Sequence, residues 1–455
     1  MWLVSLAGVI IWVNGRGLHT LTAAFGTLFD TGYGLPRILQ DLGSLAGIIA
    51  SVLLLFQVLF MSRFPLFEQG FGRDVIVAVH KKVGFWSFWM ILAHAVLLAV
   101  GYNIAEDANP WTSLGVFITQ LQGAIAATVV IFVAVIGMSV KRIKAKVTYE
   151  TWHVWHVVAY IAAFVSVPHQ IFLGGSFLQS RVATVFWIGL WGATFAAVGI
   201  WRVLIPVITF FKYDMRIVEV KPDGARGIDV VVTGKNLDRL GTKAGQFFHW
   251  RFLGSKGAWK QNPFSISMPP TNDRLRICVR VVGDGTERMA ELKPGMRVSV
   301  EGPLGRISGD LRTTNRMLMF AAGAGAGPMV AMLTDQEWAP GEAILVSREN
   351  VDEDAMMVED IEPLVTERGL IWHRPTGLPN IPSVEGYSGG SSWMPPNPDG
   401  TPVDGPGLIR EWVEGQVEDV DVFLCGPPIW MDGVIRDLAA AGVPDHNIHV
   451  ESFNF

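Results

Sequence analysis

Long apolar runs in the first half of the chain limit its possible folds more than any other feature. Runs of about 18 or more apolar residues can cross a bilayer, and they occur near 42–61, 74–101, 112–139, 152–173 and 182–210. A shorter apolar stretch, 2–13, lacks a basic n-region and a convincing cleavage site, so we interpret it as a sixth, short helix rather than a signal peptide. The sequence up to about residue 211 therefore predicts a six-helix transmembrane bundle.

The rest of the chain has the composition of a globular protein. Of the 455 residues, 50% are hydrophobic and 17% are charged, and the mean hydropathy is +0.35. These values are too apolar for one soluble protein and too charged for a pure membrane bundle, so the chain divides near residue 211. The net charge of −5 gives no reason to expect nucleic-acid binding. Two cysteines, Cys278 and Cys425, cannot form a disulfide framework, and the absence of CxxCH excludes covalent c-type haem.

Basic residues in the short loops predict the orientation of the bundle. The 62–73 loop carries Arg63 and Arg73, and the 140–147 loop contains KRIKAK, whereas the 102–111 loop has two acidic residues and no base. By the positive-inside rule, both basic loops and the C-terminal half face the cytoplasm. We therefore expect an integral protein of the plasma membrane whose soluble domains lie in the cytoplasm.

Four histidines at similar intervals predict two metal sites inside the bundle. His80 and His94 are 14 residues apart, about 21 Å along an ideal helix and about 40° in rotation, so they share a face. His156 and His169 are 13 residues apart, about 19.5 Å, but about 140° out of phase. Pro168 can correct that phase by distorting the local turn. Ligands about 20 Å apart do not suit one zinc ion, whereas two b-type haems, each between two histidines, fit them.

His153 is an alternative to His156 as a ligand. It lies 16 residues before His169, about 24 Å along a helix, which matches the interval of the other pair less well. We therefore expect His153 to be a neighbour of the site or to face the headgroups. A single membrane histidine is more often a packing or proton-relay residue, but four in two helices favour ligation. The predicted metal ligands are His80, His94, His156 and His169.

After residue 211, short β-branched segments predict a small antiparallel β-barrel. They read DMRIVEV, GIDVVVTG, GQFFHWRF, LRICVRVV and MRVSVEG and are separated by turn residues. From residue 316 the pattern becomes strand, glycine turn and helix, and the amides that open such a helix suit a pyrophosphate. We expect a transmembrane domain at 1–211, a β-barrel domain at 212–312 and an α/β Rossmann-like nucleotide-binding domain at 313–455.

Together these motifs resemble the ferric reductase / NADPH oxidase superfamily over essentially the whole chain. In the barrel, NPFSIS (262–267) and GDGT (283–286) look like the FAD-binding segments of the ferredoxin–NADP reductases, with asparagine where the membrane-bound branch usually has histidine. The resemblance implies that FAD is bound by Asn262, Pro263, Phe264, Ser265, Arg280, Gly283 and Thr286. It implies that the nicotinamide nucleotide is bound by Gly323, Gly325, Gly327, Pro328, Cys425, Gly426 and Pro427.

The C-terminal residues complete the site that the resemblance implies. The final aromatic residue, Phe455, would stack on the flavin, and Glu451 would lie near the nicotinamide, so that these two and Cys425 are the candidate catalytic residues. Ser347 and Arg348 would donate to a 2′-phosphate, although the adjacent Glu349 could bind ribose hydroxyls instead. We therefore expect NADPH as the reductant, with NADH as the alternative.

The resemblance implies electron transfer from cytoplasmic NADPH through FAD and two haems b to an acceptor on the outer side. Both O2 and a ferric chelate fit, and Leu98 stands where animal oxidases have a further outer histidine. An alternative is an electron conduit to a periplasmic or extracellular partner protein. Another is a non-redox transporter with a nucleotide-binding domain. The expected partners are NAD(P)H, the acceptor and membrane lipid, without nucleic acid.

Overall fold

A computed structural model describes most of the chain. The described residues are 2–15, 17–27, 34–105, 149–172, 180–255, 260–379 and 390–452, with the isolated positions 132, 137, 147 and 174. Two compact units form: Met1–Phe67 with Val75–Val203, and Glu68–Asp74 with Leu204–Phe455.

The N-terminal half folds into helices where the apolar runs predict them. The helices are α1 Trp2–Asn14, α2 Gly17–Thr27, α3 Gly34–Phe60, α4 Pro65–Phe71, α5 Arg73–Ala105, α6 Tyr149–Phe172 and α7 Arg181–Val198. Among the described residues, four segments are long and apolar enough to cross a membrane: Gly34–Phe60, Val75–Ala105, Thr151–Phe172 and Arg181–Tyr213. These match four predicted spans. Apart from positions 132 and 137, the predicted span 112–139 lies outside the described residues.

Helix α2 forms where the sequence pattern predicts no helix. Its polar residues interrupt the apolar run, and one of them, Thr20, donates a hydrogen bond of 2.7 Å from its hydroxyl to Asp41 of α3. A search for long apolar runs does not find such a segment, because the helix is held by contacts with its neighbour rather than by its own hydrophobicity.

Helix α3 is the most buried of the four long helices. Half of its most apolar window is buried, compared with 11% for α5, 22% for α6 and 17% for the segment Arg181–Tyr213, which begins with α7. Leu55 of α3 packs in a core with Trp187 and Trp191 of α7. The large side chains that α5 leaves exposed include Phe85, Trp86 and Trp89, and an outward apolar face of this kind suits lipid rather than water. The helical half is therefore that of a membrane protein built around α3.

Six strands of the second unit form two three-stranded antiparallel sheets. One sheet contains β1 Arg216–Asp223, β2 Gly227–Thr233 and β5 Arg274–Arg280 in the order β1-β2-β5, and the other contains β3 Phe247–Phe252, β4 Asn262–Ser265 and β6 Val298–Leu304 in the order β4-β3-β6. Side chains from both sheets share one core that includes Val230, Trp250 and Ile277. All five predicted strand segments are confirmed, and the NPFS motif is the additional strand β4.

Five parallel strands form the sheet of the C-terminal part. They are β7 Arg316–Ala322, β8 Ala343–Arg348, β9 Ile371–His373, β10 Val420–Gly426 and β11 Ile448–Ser452, in the order β11-β10-β7-β8-β9. The second unit also contains α8 Ile205–Tyr213, α9 Asp284–Glu287, α10 Ala326–Asp335, α11 Val358–Arg368, α12 Gly405–Trp412 and α13 Pro428–Ala441. The strand order reverses between β7 and β10, and in open α/β sheets ligands bind at the carboxyl ends of the strands at such a point.

Candidate functional site

The four predicted ligand histidines meet as two pairs in the helical unit. The ring centroids of His80 and His156 are 6.0 Å apart, and those of His94 and His169 are 6.2 Å apart. Two imidazole nitrogens bound to one metal, each at about 2 Å, are about 4 Å apart, and each ring centroid lies about 1 Å further back, which gives roughly 6 Å. Both separations therefore leave the space that one metal ion between two imidazoles requires.

Three of the four histidines have a hydrogen bond that leaves their other ring nitrogen to a metal. His80 Nδ1 lies 3.1 Å from the carbonyl oxygen of Gln57, and His94 Nδ1 lies 2.8 Å from that of Gly43. His169 Nδ1 lies 3.2 Å from the carbonyl oxygen of Ser166. Because a carbonyl can only accept, each Nδ1 must carry the proton, and Nε2 has the lone pair.

A cleft beside the His80–His156 pair has the walls that a porphyrin requires. Both histidines line it, together with the apolar side chains of Leu54, Val58, Phe88, Ile91 and Tyr160. Apolar walls with two convergent imidazoles fit a b-type haem, so the residues present suit the group.

His156, rather than His153, is the residue that α6 places against His80. The ring of Trp152, one turn earlier on α6, stacks on His156 with centroids 4.8 Å apart. His153 instead has its ring 6.5 Å from that of Trp152. Pro168 lies inside α6, where it cannot donate to the preceding turn, and His169 nevertheless reaches His94. His156 and His169 thus each reach a histidine of α5, despite the phase difference expected between them on an ideal helix.

A buried polar chain ties α6 to α7 beside His169. Trp187 Nε1 donates to Gln170 Oε1 at 2.9 Å, and Gln170 Nε2 donates to Ser166 Oγ at 3.1 Å. All three side chains are buried. Polar groups in a membrane bundle are costly unless paired, so this chain fixes α6 near His169. The histidine pattern alone gives no sign of it.

In the second unit, the two glycine-containing motifs meet at the point where the strand order reverses. A Cβ added to Gly325, in the turn after β7, would overlap the carbonyl oxygen of Cys425 at the end of β10. Gly323 adopts φ +56, a conformation that favours glycine. Gly327 begins the first turn of α10, where an added Cβ would lie 3.3 Å from Cβ of Ser267. These glycines let the backbone approach closely where a dinucleotide would bind.

The NPFS strand presents a buried hydroxyl suited to a bound ring. Ser265 is 6% exposed, and its Oγ has no hydrogen-bond partner among the described residues. A buried hydroxyl without a partner is costly, and a bound ligand or an ordered water would supply one. The preceding Phe264 accepts a hydrogen bond of 2.9 Å from Trp250 Nε1 through its carbonyl and packs against the core of the two sheets. Asn262 and Pro263 pair with Trp250 and His249 of β3.

Arg280, the last residue of β5, lies close to the glycine turn that follows β7. Its guanidinium pairs with Glu349 and, at 2.9 Å, with Asp354, and a Cβ added to Gly323 would lie 3.1 Å from its Nη1. Burial raises the pKa of Glu349, and the hydrogen bond from Arg280 opposes that effect. Thr286 Oγ1 accepts from the backbone N–H of Val282 at 2.9 Å, which shapes the turn that begins at Gly283.

Cys425 and Glu451 are neighbours on β10 and β11. They are paired in the sheet register, and both are buried. Burial, reinforced by the charge of Glu451, raises the pKa of the Cys425 thiol well above its usual value, so the sulfur is a neutral thiol. Glu451 Oε2 accepts from the backbone N–H of Arg306 at 3.1 Å.

The other predicted residues of this site lie at the ends of the same elements. Gly426 and Pro427 follow Cys425 and lead into α13, and Pro328 lies in the first turn of α10. Phe455 lies outside the described residues.

The two residues proposed to choose between NADPH and NADH have partners within the protein. Ser347 Oγ accepts from Trp372 Nε1 at 2.8 Å. Arg348 is 6% exposed, and its guanidinium donates to Asn350 Oδ1 at 2.9 Å and to the carbonyl oxygen of Gly377. The buried Arg348 guanidinium presents no exposed donor to a 2′-phosphate, whereas the Ser347 hydroxyl accepts from Trp372 and keeps its own proton to donate.

We expect Arg348→Ala to lower stability without changing the choice of nucleotide. The variant leaves the Gly377 carbonyl without this donor, which lowers the free energy of unfolding by about 1–3 kcal/mol. The choice of nucleotide should not change, because Arg348 would contact no 2′-phosphate in either protein. The measurement is the ratio of kcat/KM for NADPH to that for NADH, together with Tm. A selective fall of about tenfold or more in the NADPH value would instead assign Arg348 to the 2′-phosphate.

A cluster of acidic and thiol groups that the sequence does not reveal lies in the β1-β2-β5 sheet. Asp223, Asp229 and Cys278 place ligand-type atoms within 4.8 Å of one another. Cys278 Sγ donates to Asp223 at 2.9 Å, and Arg276 lies 3.6 Å from Asp229. Burial raises the pKa of Asp229 to about 6, partly offset by Arg276.

We expect Asp229→Asn to stabilise the protein at about pH 8 and to be neutral near pH 4. Because the folded pKa of about 6 exceeds the unfolded value of 3.8, the contribution of Asp229 to stability falls as pH rises through that interval. The shift of roughly 2 pKa units corresponds to at most about 3 kcal/mol. Thermal unfolding of both proteins across this range is the measurement. A variant less stable than wild type at about pH 8 would show that the pairing of Asp229 with Arg276 dominates.

Comparison with known proteins identifies the class of each half. A family model described as "Ferric reductase like transmembrane component" matches residues 46–167, a range that contains His80, His94 and His156. The chain is 26% identical over 249 residues to the ferredoxin reductase component of 3-ketosteroid-9-alpha-monooxygenase from Mycolicibacterium smegmatis, covering 52% of this chain and 63% of the relative. It is 26% identical over 186 residues to NADH-cytochrome b5 reductase 1 of Pyricularia oryzae, covering 40% of this chain and 56% of the relative.

Solved structures with some likeness to the chain include two flavoproteins. One is a ferredoxin NADP+ reductase from Neisseria gonorrhoeae with bound FAD and NADP, at 16% identity and TM-score 0.41, over 53% of this chain and 98% of that chain. The other is a flavohemoglobin from Malassezia yamatoensis, at 14% identity and TM-score 0.42, over 93% of this chain and 99% of that chain. TM-scores of this size carry no argument of their own.

The two halves of the chain are thus similar to two kinds of redox protein. A ferric reductase-like transmembrane segment and ferredoxin reductase-like relatives occur together in one chain. The predicted resemblance to the ferric reductase / NADPH oxidase superfamily is therefore confirmed. The chain covers less than two thirds of the length of the two sequence relatives, the ferredoxin reductase component of 3-ketosteroid-9-alpha-monooxygenase and NADH-cytochrome b5 reductase 1.

Proposed function

We propose that this protein carries electrons from a nicotinamide nucleotide across a membrane to an acceptor on the other side. FAD and two haems b are the proposed carriers, and O2 or a ferric chelate is the proposed acceptor. The proposal includes the six-helix bundle, a closed barrel in the flavin-binding part, and a plasma-membrane location with the soluble unit in the cytoplasm. The relatives named as NADH- and ferredoxin-linked reductases support the nucleotide and flavin part of this proposal.

The observation that carries the proposal is the pairing of four histidines from two helices at equal ring separations. His80 faces His156 at 6.0 Å and His94 faces His169 at 6.2 Å. The members of the α5 pair are 14 residues apart, about 21 Å in a helix, so the two sites lie near opposite sides of a bilayer core of about 30 Å. A transporter without haem gives no reason for this arrangement.

The chain's own residues would bind the carriers and position them. When bound, the flavin accepts a hydride from the nicotinamide and passes electrons singly to the haems, which pass them to the acceptor. The Ser265 hydroxyl would bind a polar atom of the flavin ring, and the turn from Gly323 to Gly327 would hold the dinucleotide phosphates through its amides. Glu451 and the neutral Cys425 thiol would border the nicotinamide. His80 with His156, and His94 with His169, would each hold one iron, and an acceptor would then be reduced without binding the metal.

Acceptor-dependent oxidation of NADPH and NADH by the purified full chain tests this function. We expect oxygen-independent reduction of a ferric chelate, dye reduction in air that superoxide dismutase abolishes, or both. Loss of either histidine pair should abolish these activities while electron transfer from the nucleotide to the flavin continues. A haem-loaded protein that reduces neither acceptor would point to a partner protein on the outer side. A protein that contains no haem would refute the proposal.

A further inference from the structure

The two histidines of α5 are both bonded to the backbone of α3, at equal intervals along the two helices. His94 Nδ1 lies 2.8 Å from the carbonyl oxygen of Gly43, and His80 Nδ1 lies 3.1 Å from that of Gln57. Gly43 and Gln57 are 14 residues apart, as are His80 and His94, and the order is reversed. Helices α3 and α5 therefore run in opposite directions with their two contacts at matching depths.

We propose that α3 is the positioning helix for both haem sites, through its backbone carbonyls at Gly43 and Gln57. This inference rests on the proposed haem function. A carbonyl that accepts from Nδ1–H fixes the tautomer and the ring plane of the imidazole, and it increases the basicity of Nε2 towards a metal. One helix thus sets the orientation of one ligand at each site.

The Gln57 carbonyl is able to accept because α3 ends just after it. Gln57 is one of the last four residues of α3, which ends at Phe60, and such carbonyls lack a regular helical donor. Met61, which would donate to Gln57 if the helix continued, donates to the carbonyl of Val58 at 3.1 Å. His80 therefore supplies the donor that the helix end requires.

The Gly43 carbonyl is reached because glycine brings α3 close to the imidazole ring. A Cβ added to Gly47, one turn after Gly43, would lie 2.5 Å from Nδ1 and 2.7 Å from Cε1 of His94. A Cβ added to Gly43 itself would lie 3.0 Å from Leu98. Any side chain at position 47 must therefore displace the His94 ring or separate the two helices.

The ligands of α6 are oriented differently. His169 Nδ1 contacts the carbonyl oxygen of Ser166 within its own helix at 3.2 Å, and His156 stacks on Trp152 of the same helix. The α5 histidines thus bond to the backbone of α3, while the hydrogen bond of His169 and the stacking of His156 on Trp152 lie within α6. A change in α3 should consequently affect one ligand of a pair and leave its partner in place.

Gly47→Ala tests the proposal, with Gly192→Ala as the matched control. Gly192 lies on α7, where an added Cβ meets nothing within 4 Å among the described residues. We expect Gly47→Ala to lose about half of the b-type haem per FAD, or to keep both haems with a changed midpoint potential and electron paramagnetic resonance g-values at one of them. Gly192→Ala should match wild type in haem content, potentials and spectra. Two haems with unchanged potentials and g-values in Gly47→Ala would overturn the proposal.

A second measurement covers the case in which Gly47→Ala does not accumulate. Nitrogen NMR of the unmodified haem-loaded protein, labelled with 15N-histidine, shows whether Nδ1 of His80 and His94 carries a hydrogen-bonded proton. We expect protonated Nδ1 in both, and a deprotonated Nδ1 in either would overturn the role of α3. A wild-type protein without b-type haem would instead refute the proposed function itself, so the two failures are distinguishable.

Discussion

Replacing His156 by alanine is expected to remove one of two haems and to stop electron transfer across the membrane. The ring of His156 lies 6.0 Å from that of His80, and the variant deletes one of the two imidazoles that would bind the iron. Loss of a direct ligand should exceed the effect of losing a hydrogen-bond partner of a ligand, which is about 10- to 100-fold. Haem content per FAD and acceptor reduction by the full chain are the measurements.

His153→Ala is the matched control for this variant. The two histidines are three residues apart on α6, so both substitutions alter the same helix in the same way. We expect His153→Ala to retain both haems and nearly the wild-type rate. If His153→Ala loses a haem and His156→Ala does not, the pairing argued from the ring distances is wrong.

Replacing Gly325 by alanine is expected to abolish most NAD(P)H-dependent flavin reduction. The added Cβ would overlap the carbonyl oxygen of Cys425, so the turn after β7 and the end of β10 must move apart where the nucleotide would bind. A displacement of about 1 Å in a binding site can cost about 100-fold in rate. Rapid mixing of nucleotide with the flavin-loaded protein measures the rate directly, and the haem content should remain unchanged.

Gly327→Ala provides a graded comparison within the same turn. Its Cβ would lie 3.3 Å from Cβ of Ser267 and 3.7 Å from that of Cys278, a tight contact that small movements relieve. We expect an effect of a few-fold at most. Equal rates for Gly325→Ala and wild type would show that the meeting of the two motifs does not form the nucleotide site.

The spacing of the histidines along their helices could be predicted from the sequence, whereas the direction in which each imidazole points could not. The interval between His156 and His169 sets their separation along any helix, because the rise per residue hardly varies. The facing depends on how α6 packs and on the turn that contains Pro168, which tertiary contacts decide. The formation of α2 could likewise not be predicted, because its polar residues are held by contacts with α3.

The side chains around the nucleotide site were less predictable than the strands that carry them. The β-branched segments predict β1, β2, β3, β5 and β6 well because strand patterns are local. The direction in which the Arg348 side chain points depends on its hydrogen bond to Gly377, 29 residues later. No local pattern reveals that contact. The contacts of α3 with the histidines are also hidden, because backbone carbonyls leave no mark on residue type beyond the glycines that permit close approach.

Haem quantification and a reduced-minus-oxidised spectrum of the purified full chain test the central claim most directly. The four histidines in two pairs predict two b-type haems per FAD, both six-coordinate and low-spin. Loss of His94 should leave the haem of the His80–His156 pair, and loss of His80 should leave the other. A protein purified with its flavin but without b-type haem bands would contradict the claim that these histidine pairs are redox sites.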